Sequence, residues 1–153
     1  PAGRRFGTRM HEFLATLEWI DFGNPAAIEG HVARAPAELR EPVRRFLDSP
    51  IARDVFGKPS GPCRLWREKP YVLRREGTIA RGYIDRAILH LGSDGHPERL
   101  EIFDFKTDQL DPGRPADEQL IERYAVQLER YIEASRILTG LPANRIEAGL
   151  VPV

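Results

Sequence analysis

Apolar residues in the first third of the chain recur at every third or fourth position, which is the period of an amphipathic helix. Thr8 is predicted to cap the first of these helices, and Asn24-Pro25 is predicted to open the second. Pro42 is predicted to divide the third, because proline removes a backbone donor from a helix interior. The predicted helices cover residues 7–20, a short segment from residue 24, residues 36–47 and residues 50–56.

The pattern changes after a loop rich in glycine and proline at residues 57–62. Three extended segments, a long helix that ends at Gly140 and a final strand follow. This order predicts one α/β domain over residues 1–153, with a central mixed sheet flanked by helices. The sheet is expected to be an antiparallel meander plus a crossover strand. The predicted strands are residues 64–74, 78–91, 99–107 and 145–153, and the long helix is residues 116–139.

The segment FDFKTD, residues 103–108, carries an unusual mixture of aromatic and charged side chains within a predicted strand. Because strand side chains alternate, Phe103 and Phe105 are expected to face a helix layer. Asp104 and Lys106 then lie on the opposite face of the sheet. A carboxylate and an ammonium on one face of a strand are candidate functional groups of an active site. The alternative is a solvated edge with a surface ion pair, worth about 0–1 kcal/mol.

The hairpin before this segment predicts a partner for Asp104. If residues 93–96 form a four-residue loop, Gly92 pairs with Pro97 and Asp85 lies opposite Asp104. A slip of one residue would send the two carboxylates to opposite faces of the sheet, and a slip of two would leave them diagonal. Like charges in direct opposition are destabilising, so a cation is expected nearby. Lys106 is one candidate, and a divalent cation with oxygen ligands, such as Mg²⁺, is the better one.

Composition narrows the class of protein. The formal net charge is zero, whereas a protein that coats nucleic acid would be basic overall. No apolar run is long enough to span a membrane. One cysteine excludes an intramolecular disulfide, and a cytosolic setting is expected. Lys58, Lys69 and Lys106 are the only lysines among 23 basic residues. The chain begins at Pro1 with its only methionine at position 10, so we expect a fragment of a longer protein.

Five motifs in order resemble those of the PD-(D/E)XK nuclease superfamily. The closer resemblance is to the RecB/AddA-type nuclease domain, which ends bacterial helicase–nuclease chains. It covers nearly the whole sequence and implies a restriction-endonuclease-like core. The motifs are GTRMH at residues 7–11, REKPY at 67–71, GYID at 82–85, FDFKTD at 103–108 and YAVQLERY at 124–131.

The resemblance implies a set of site residues. His11, Asp85, Asp104 and the backbone carbonyl of Phe105 are implied ligands of Mg²⁺ or Mn²⁺. Lys106 is implied to orient or activate the attacking water. The branch of the family with an iron–sulfur cluster needs four cysteines, so no such cluster is expected here. Judged by its residue type alone, His11 on an amphipathic helix is more often structural.

The same resemblance gives roles to two residues of the long helix. Gln127 and Tyr131 are implied to support the site or to contact DNA. The helical spacing puts Gln127 within an apolar face, where an amide must be hydrogen-bonded. It is therefore either a core glutamine bonded to backbone or an amide directed at the catalytic strand or the DNA.

The function implied is that of a Mg²⁺-dependent DNA exonuclease domain, similar to exodeoxyribonuclease V. The setting implied is a helicase–nuclease of recombination and double-strand-break repair in the bacterial cytoplasm, at the nucleoid. The implied partners are DNA, especially single-stranded ends, a helicase domain of the same parent chain, and a second subunit. Two alternatives remain: a catalytically silent module that binds DNA or another protein of the complex, and a stand-alone CRISPR-adaptation or phage nuclease.

Overall fold

The computed structural model describes residues 2–153 and divides the chain into two compact units. The first unit comprises the described residues up to Ser60 together with Val153, and the second is Gly61–Pro152. The first unit is helical. The second contains all four strands that the described residues form, together with one long helix.

Four α-helices and one 3₁₀ turn form the first unit, and their apolar stripes are buried. Asn24 caps the second helix through hydrogen bonds from the backbone N–H groups of Ala26 and Ala27 to its side chain. Phe46 and Phe56 meet edge to face, with ring centroids 6.1 Å apart. The elements are α1 Ala2–Ala15, α2 Pro25–Arg34, a 3₁₀ turn Ala37–Leu39, α3 Arg40–Leu47 and α4 Pro50–Phe56.

Three details of the helix prediction were wrong. The first helix was expected to extend to residue 20, but α1 ends at Ala15. Helix α1 begins at Ala2, so Thr8 lies inside it and its hydroxyl donates to the carbonyl of Arg4 one turn earlier. The third helix is in two pieces, as predicted, but the break comes before Arg40 and not at Pro42. Pro42 lies in the first turn of α3, where its missing N–H would have had no intrahelical partner.

The second unit is a four-stranded mixed sheet with α5 packed on it. The order is β1-β2-β3-β4, antiparallel except for the parallel β3–β4 pair that follows the α5 crossover. This confirms the predicted α/β fold with its meander and crossover strand. Gly140 ends α5 in the left-handed conformation at φ 74°. The elements are β1 Cys63–Arg75, β2 Thr78–Leu91, β3 Pro97–Lys106, α5 Ala116–Thr139, a 3₁₀ turn Ala143–Arg145 and β4 Ile146–Pro152.

The β2–β3 hairpin has the predicted register but not the predicted turn. Leu91, and not Gly92, lies opposite Pro97. The register then shifts, so Glu98 is an extra residue in β3 and His90 pairs with Arg99. From there the ladder runs to Arg86 opposite Phe103, and one further step along it would place Asp85 opposite Asp104.

Both faces of β3 are buried over residues 102–105. Phe103 and Phe105 are buried on one face, as predicted. Helix α5 packs on the other face, which carries Ile102 and Asp104. An apolar cluster joins that face to α5 and β4. Its members include Tyr71, Leu73, Ile84, Ala87, Leu100, Ile102, Tyr131, Ala134 and Ile146.

No helix formed by residues 2–153 combines the length and apolar character that crossing a membrane requires. Helix α5 has 24 residues, but charged side chains recur along it. Its exposed surface carries isolated apolar residues as well, which is ordinary for a globular protein.

Candidate active site

The two carboxylates singled out by the sequence meet where the β2–β3 ladder ends. The last ladder pair is Arg86 and Phe103. Beyond it, the backbone N–H of Phe105 donates to Asp85 Oδ2 at 2.9 Å instead of to a backbone carbonyl. The Asp85 side chain thus takes the place of one backbone partner, and its carboxyl group lies near enough to that of Asp104 to raise the pKa of Asp104. The predicted neighbourhood of Asp85 and Asp104 is confirmed.

Asp104 is the most constrained acid of the site, with 2% of its surface exposed. Burial raises the pKa of Asp104 to about 7, and the hydrogen bond and negative charge of Asp85 act in the same direction. The Lys106 ammonium opposes this shift. A cation that arrives beside this carboxyl group would favour its ionised form.

Three groups surround the Lys106 ammonium. Its Nζ lies 2.8 Å from Asp104 Oδ2 and donates to Gln127 Oε1 at 2.9 Å. The Tyr124 ring lies on the third side, with its centroid 3.8 Å from Nζ. Because only 12% of the Lys106 side chain is exposed, these groups and not solvent determine where the ammonium points.

Helix α5 brings the site three side chains at helical spacing, namely Tyr124, Gln127 and Tyr131. Gln127 Nε2 lies 2.7 Å from Tyr131 Oη, and Tyr131 Oη donates to Asp104 Oδ1 at 3.3 Å. The Gln127 amide thus bonds to the side chains of Lys106 and Tyr131. Of the two geometries that the sequence left open, this is the amide directed at the catalytic strand. Burial, with the charge of Asp104 next, raises the pKa of Tyr131, so its hydroxyl is a neutral donor.

An aromatic pair supports Tyr131 from the sheet. Tyr71 meets Tyr131 edge to face, with ring centroids 5.8 Å apart. The hydroxyl of Tyr71 in turn lies against Gly82, where an added Cβ would come within 2.6 Å of it. The glycine of the GYID motif thus leaves room for the ring that supports Tyr131.

Asp108 and Tyr124, which lie in the FDFKTD and YAVQLERY segments and have no role implied by the resemblance, also belong to the site. The Tyr124 hydroxyl donates to Asp108, 2.8 Å from Oδ1 and 3.0 Å from Oδ2. Arg123 donates to the same Asp108 Oδ1 at 3.1 Å. Their positions in the sequence could have indicated this, because Asp108 follows Lys106 by two residues and Tyr124 precedes Gln127 by one helical turn.

His11 lies on α1 in the first unit, where it is half-buried and makes contacts of its own. Among residues 2–153, no group of three or more His, Cys, Asp and Glu side chains is arranged to hold a metal ion. The structure therefore brings together Asp85, Asp104, Lys106, Gln127 and Tyr131. The ligand role of His11 stays a prediction.

The donor set nevertheless fits a divalent cation. Asp104 Oδ2 is buried and accepts no hydrogen bond of ordinary geometry from the described residues, although the Lys106 ammonium lies at ion-pair distance. An oxygen of this kind is under-satisfied, and two adjacent carboxylates repel each other. A hard cation with oxygen ligands would relieve both conditions.

Comparison with known proteins points to a nuclease context. No model of a known protein family matches the sequence. The chain is similar to proteins whose names describe them as subunits of an ATP-dependent helicase/nuclease. The one from Acetivibrio thermocellus is 28% identical over 153 residues, which is 88% of this chain and 12% of that protein. The one from Levilactobacillus brevis is 28% identical over 111 residues, 67% of this chain and 9% of that protein.

A third relative of the same name, from Limosilactobacillus fermentum, is 32% identical over 57 residues. That match covers 36% of this chain and 4% of the relative. The chain thus spans about an eighth or less of each of these proteins.

Proposed function

We propose that this chain is a nuclease domain that hydrolyses phosphodiester bonds of DNA with the help of a divalent cation. The observation that carries the proposal is the adjacent pair of Asp85 and Asp104, with the Lys106 ammonium 2.8 Å from Asp104. Two adjacent carboxyl groups beside an ammonium, one of them buried, are costly to maintain, and a bound cation with an anionic substrate would offset that cost.

Each residue of the site has a task in such a reaction. Asp85, Asp104 and the carbonyl of Phe105 would hold Mg²⁺ or Mn²⁺, with His11 as a further ligand. When bound, the cation polarises the phosphate and lowers the pKa of a coordinated water. Lys106 supplies positive charge toward the attacking water and the phosphoryl oxygens.

Gln127 and Tyr131 hold the two charged groups in place. The amide oxygen of Gln127 accepts from Lys106, and the hydroxyl of Tyr131 donates to Asp104. A site whose groups are oriented before the substrate arrives loses little energy to reorganisation during the reaction.

The proposed setting is a helicase–nuclease that processes broken DNA in the bacterial cytoplasm. It rests on the names of the relatives, each of which is a helicase/nuclease protein many times longer than this chain. In that setting the partners are single-stranded DNA ends, a helicase domain of the parent chain and a second subunit. Cleavage from an end, as an exonuclease of this kind performs, belongs to the same proposal.

A silent module that only binds DNA or a partner is less well supported. Its usual mark is the loss of a charged residue from the site, whereas His11, Asp85, Asp104 and Lys106 are all present.

The proposal is tested with the purified 153-residue chain, an end-labelled single strand of DNA, and Mg²⁺, Mn²⁺ or EDTA. We expect cleavage with either metal, none in EDTA, and loss of at least about 100-fold in Asp104→Ala. Calorimetry should show Mn²⁺ binding that Asp104→Ala abolishes and His11→Ala weakens. Thermal denaturation of each variant controls for folding.

The outcomes separate the alternatives. DNA binding without cleavage under any metal would favour the silent module. Undiminished Mn²⁺ binding in Asp104→Ala would overturn the assignment of the metal to this pair. If only His11→Ala leaves Mn²⁺ binding unchanged, the histidine is structural and the carboxylates alone hold the ion.

A further inference from the structure

Tyr124 presents the face of its ring to Lys106. The Nζ-to-centroid distance of 3.8 Å is well inside the roughly 6 Å over which a ring attracts a cation. Lys69, by comparison, lies 5.3 Å from the Trp66 ring. The nearer approach at Lys106 occurs where the ammonium is largely shielded from solvent, and there the attraction is stronger.

The Tyr124 ring is itself fixed by Asp108. Its hydroxyl reaches both carboxylate oxygens, and Arg123 neutralises the same carboxylate. Burial and the hydrogen bond to Asp108 raise the pKa of the Tyr124 hydroxyl to about 12, so it remains a donor at neutral pH. Asp108 follows β3 by two residues, so this contact ties the exit of the strand that carries Lys106 to α5.

The three contacts of the ammonium are not equivalent. Gln127 and Tyr124 both come from α5, one helical turn apart, and neither carries a charge. The third contact is Asp104, an implied metal ligand. An ammonium has three donors and no acceptor, so the two helix contacts leave one donor for Asp104 or for a bound phosphate.

We propose that Tyr124 is a positioning residue whose ring directs the Lys106 ammonium toward the reacting phosphate. The proposal rests on the proposed nuclease function and adds to it the residue that orients Lys106. Without the ring, Lys106 keeps its charge but gains rotational freedom, and the rate of the chemical step falls.

The competing explanation is that Tyr124 only tethers α5 to the loop after β3 through Asp108. A tether needs the hydroxyl and not the ring, whereas orientation of Lys106 needs the ring. Tyr124→Phe and Tyr124→Leu therefore separate the two explanations, because Phe keeps the ring alone. Val126→Ala, at an exposed position of the same helix, is the matched control.

The first measurement is of geometry and uses neither metal nor DNA. Lysine labelled with ¹³C at the ε carbon gives three signals, since the chain has three lysines. Lys58→Arg and Lys69→Arg assign them. The ε protons of Lys106 should be shifted upfield by the Tyr124 ring. This shift should be lost in Tyr124→Leu, and retained in Tyr124→Phe and Val126→Ala.

The second measurement is single-turnover cleavage of single-stranded DNA in saturating Mg²⁺. Tyr124→Leu should slow the chemical step by roughly 3- to 30-fold, as expected for loss of one cation–ring contact. The DNA concentration at half-maximal rate should stay unchanged. Tyr124→Phe should stay within about threefold of wild type. In a Lys106→Ala background, Tyr124→Leu should cause no further loss, because its target is absent.

Each result decides the matter. An unmoved Lys106 signal in Tyr124→Leu would overturn the proposal, and so would an equal loss of rate with and without Lys106. A Tyr124→Phe variant as slow as Tyr124→Leu would identify a tether and reject positioning by the ring. The labelled-lysine signals are obtained whether or not the chain cleaves DNA. Absence of wild-type cleavage therefore counts against the proposed function and not against the contact.

Discussion

Asp85 and Phe105 are joined by a hydrogen bond from backbone to side chain, 2.9 Å long, just past the last β2–β3 ladder pair. An ordinary antiparallel ladder would have continued with backbone partners. Here the Asp85 carboxylate accepts a hydrogen bond from the backbone N–H of the buried Phe105.

Replacement of Asp104 by asparagine should stabilise the metal-free protein at neutral and alkaline pH. The pKa of Asp104 is raised to about 7 in the folded state, above its ordinary value of 3.8, so the folded protein holds a proton that the unfolded chain releases. The free energy of unfolding should therefore decrease as the pH rises from about 4 to about 7. Asp104→Asn should lack this decrease.

The measurement is urea denaturation of both proteins in EDTA between about pH 4 and about pH 8, which brackets the two pKa values. A difference in stability that does not change with pH would contradict the raised pKa. Saturating Mn²⁺ should then stabilise the wild type and not Asp104→Asn, because only a ligand-binding folded state gains from added ligand.

Lys106→Arg should be nearly as damaging as Lys106→Ala, although it keeps the charge. The ammonium lies in a space bounded by Asp104, Gln127 and the Tyr124 ring, and a planar guanidinium on a longer side chain cannot occupy the same point. Loss of a preorganised charged donor costs about 3–4 kcal/mol, or about two to three decades in rate.

Single-turnover cleavage in saturating Mg²⁺ measures this loss. Lys58→Arg makes the same substitution at an exposed position and should keep the wild-type rate. If Lys106→Arg cleaves within a few-fold of wild type, Lys106 is only a screening charge.

Gln127→Leu should reduce cleavage while the melting temperature hardly changes. The amide links Lys106 to Tyr131, but Tyr131 keeps its hydrogen bond to Asp104 when the amide is removed. A loss of about 1 kcal/mol in stability, or about 2–4 °C, is the upper expectation.

Gln119 on the same helix is the matched comparison. Its amide is buried and bonded to backbone, accepting from the N–H of Asp111 at 2.8 Å and donating to the Asp111 carbonyl at 2.9 Å. Gln119→Leu should therefore lower the melting temperature more and the cleavage rate less. The reverse order for the two variants would assign the structural role to Gln127.

Gly82→Ala should destabilise the protein by about 1–3 kcal/mol, as overpacking of a filled site does. The new Cβ would come within 2.6 Å of the Tyr71 hydroxyl, and Tyr71 packs on Tyr131. Gly149→Ala in β4 is the control, since no atom lies within 4 Å of its added Cβ. Thermal denaturation of the two variants should separate them, and equal melting temperatures would show that Tyr71 moves aside at little cost.

The elements with strong local signals could be predicted from the sequence. Strand β2 and helix α5 have the predicted bounds. In α5 the reason is local, because Gly140 adopts the left-handed conformation that ends the helix. The site pair was predictable because alternation fixes the face of a side chain and the hairpin fixes its partner. The predicted register of the β2–β3 ladder is correct, although the turn is not the one expected. Leu91 and not Gly92 pairs with Pro97, and the extra residue Glu98 restores the predicted register from His90 onward.

The contacts between α5 and β3 could not be predicted from the sequence alone. That α5 covers the Asp104 face depends on how the helix packs across the sheet, which a periodic pattern does not specify. The approach of Tyr124 to Lys106 depends on the angle and height of that packing as well. The cap assigned to Thr8 failed because a good capping residue is also tolerated inside a helix, where its hydroxyl bonds back to the preceding turn.

The position of β4 near the end of the sequence affects when the candidate site can form during synthesis. Past Phe103, β3 keeps its ladder partners in β4 alone, with Asp104 beside Leu150 and Lys106 beside Pro152. The ribosome completes FDFKTD well before it reaches β4, so the charged segment emerges without the strand that holds its backbone. We therefore expect the candidate site to form only after β4 is synthesised.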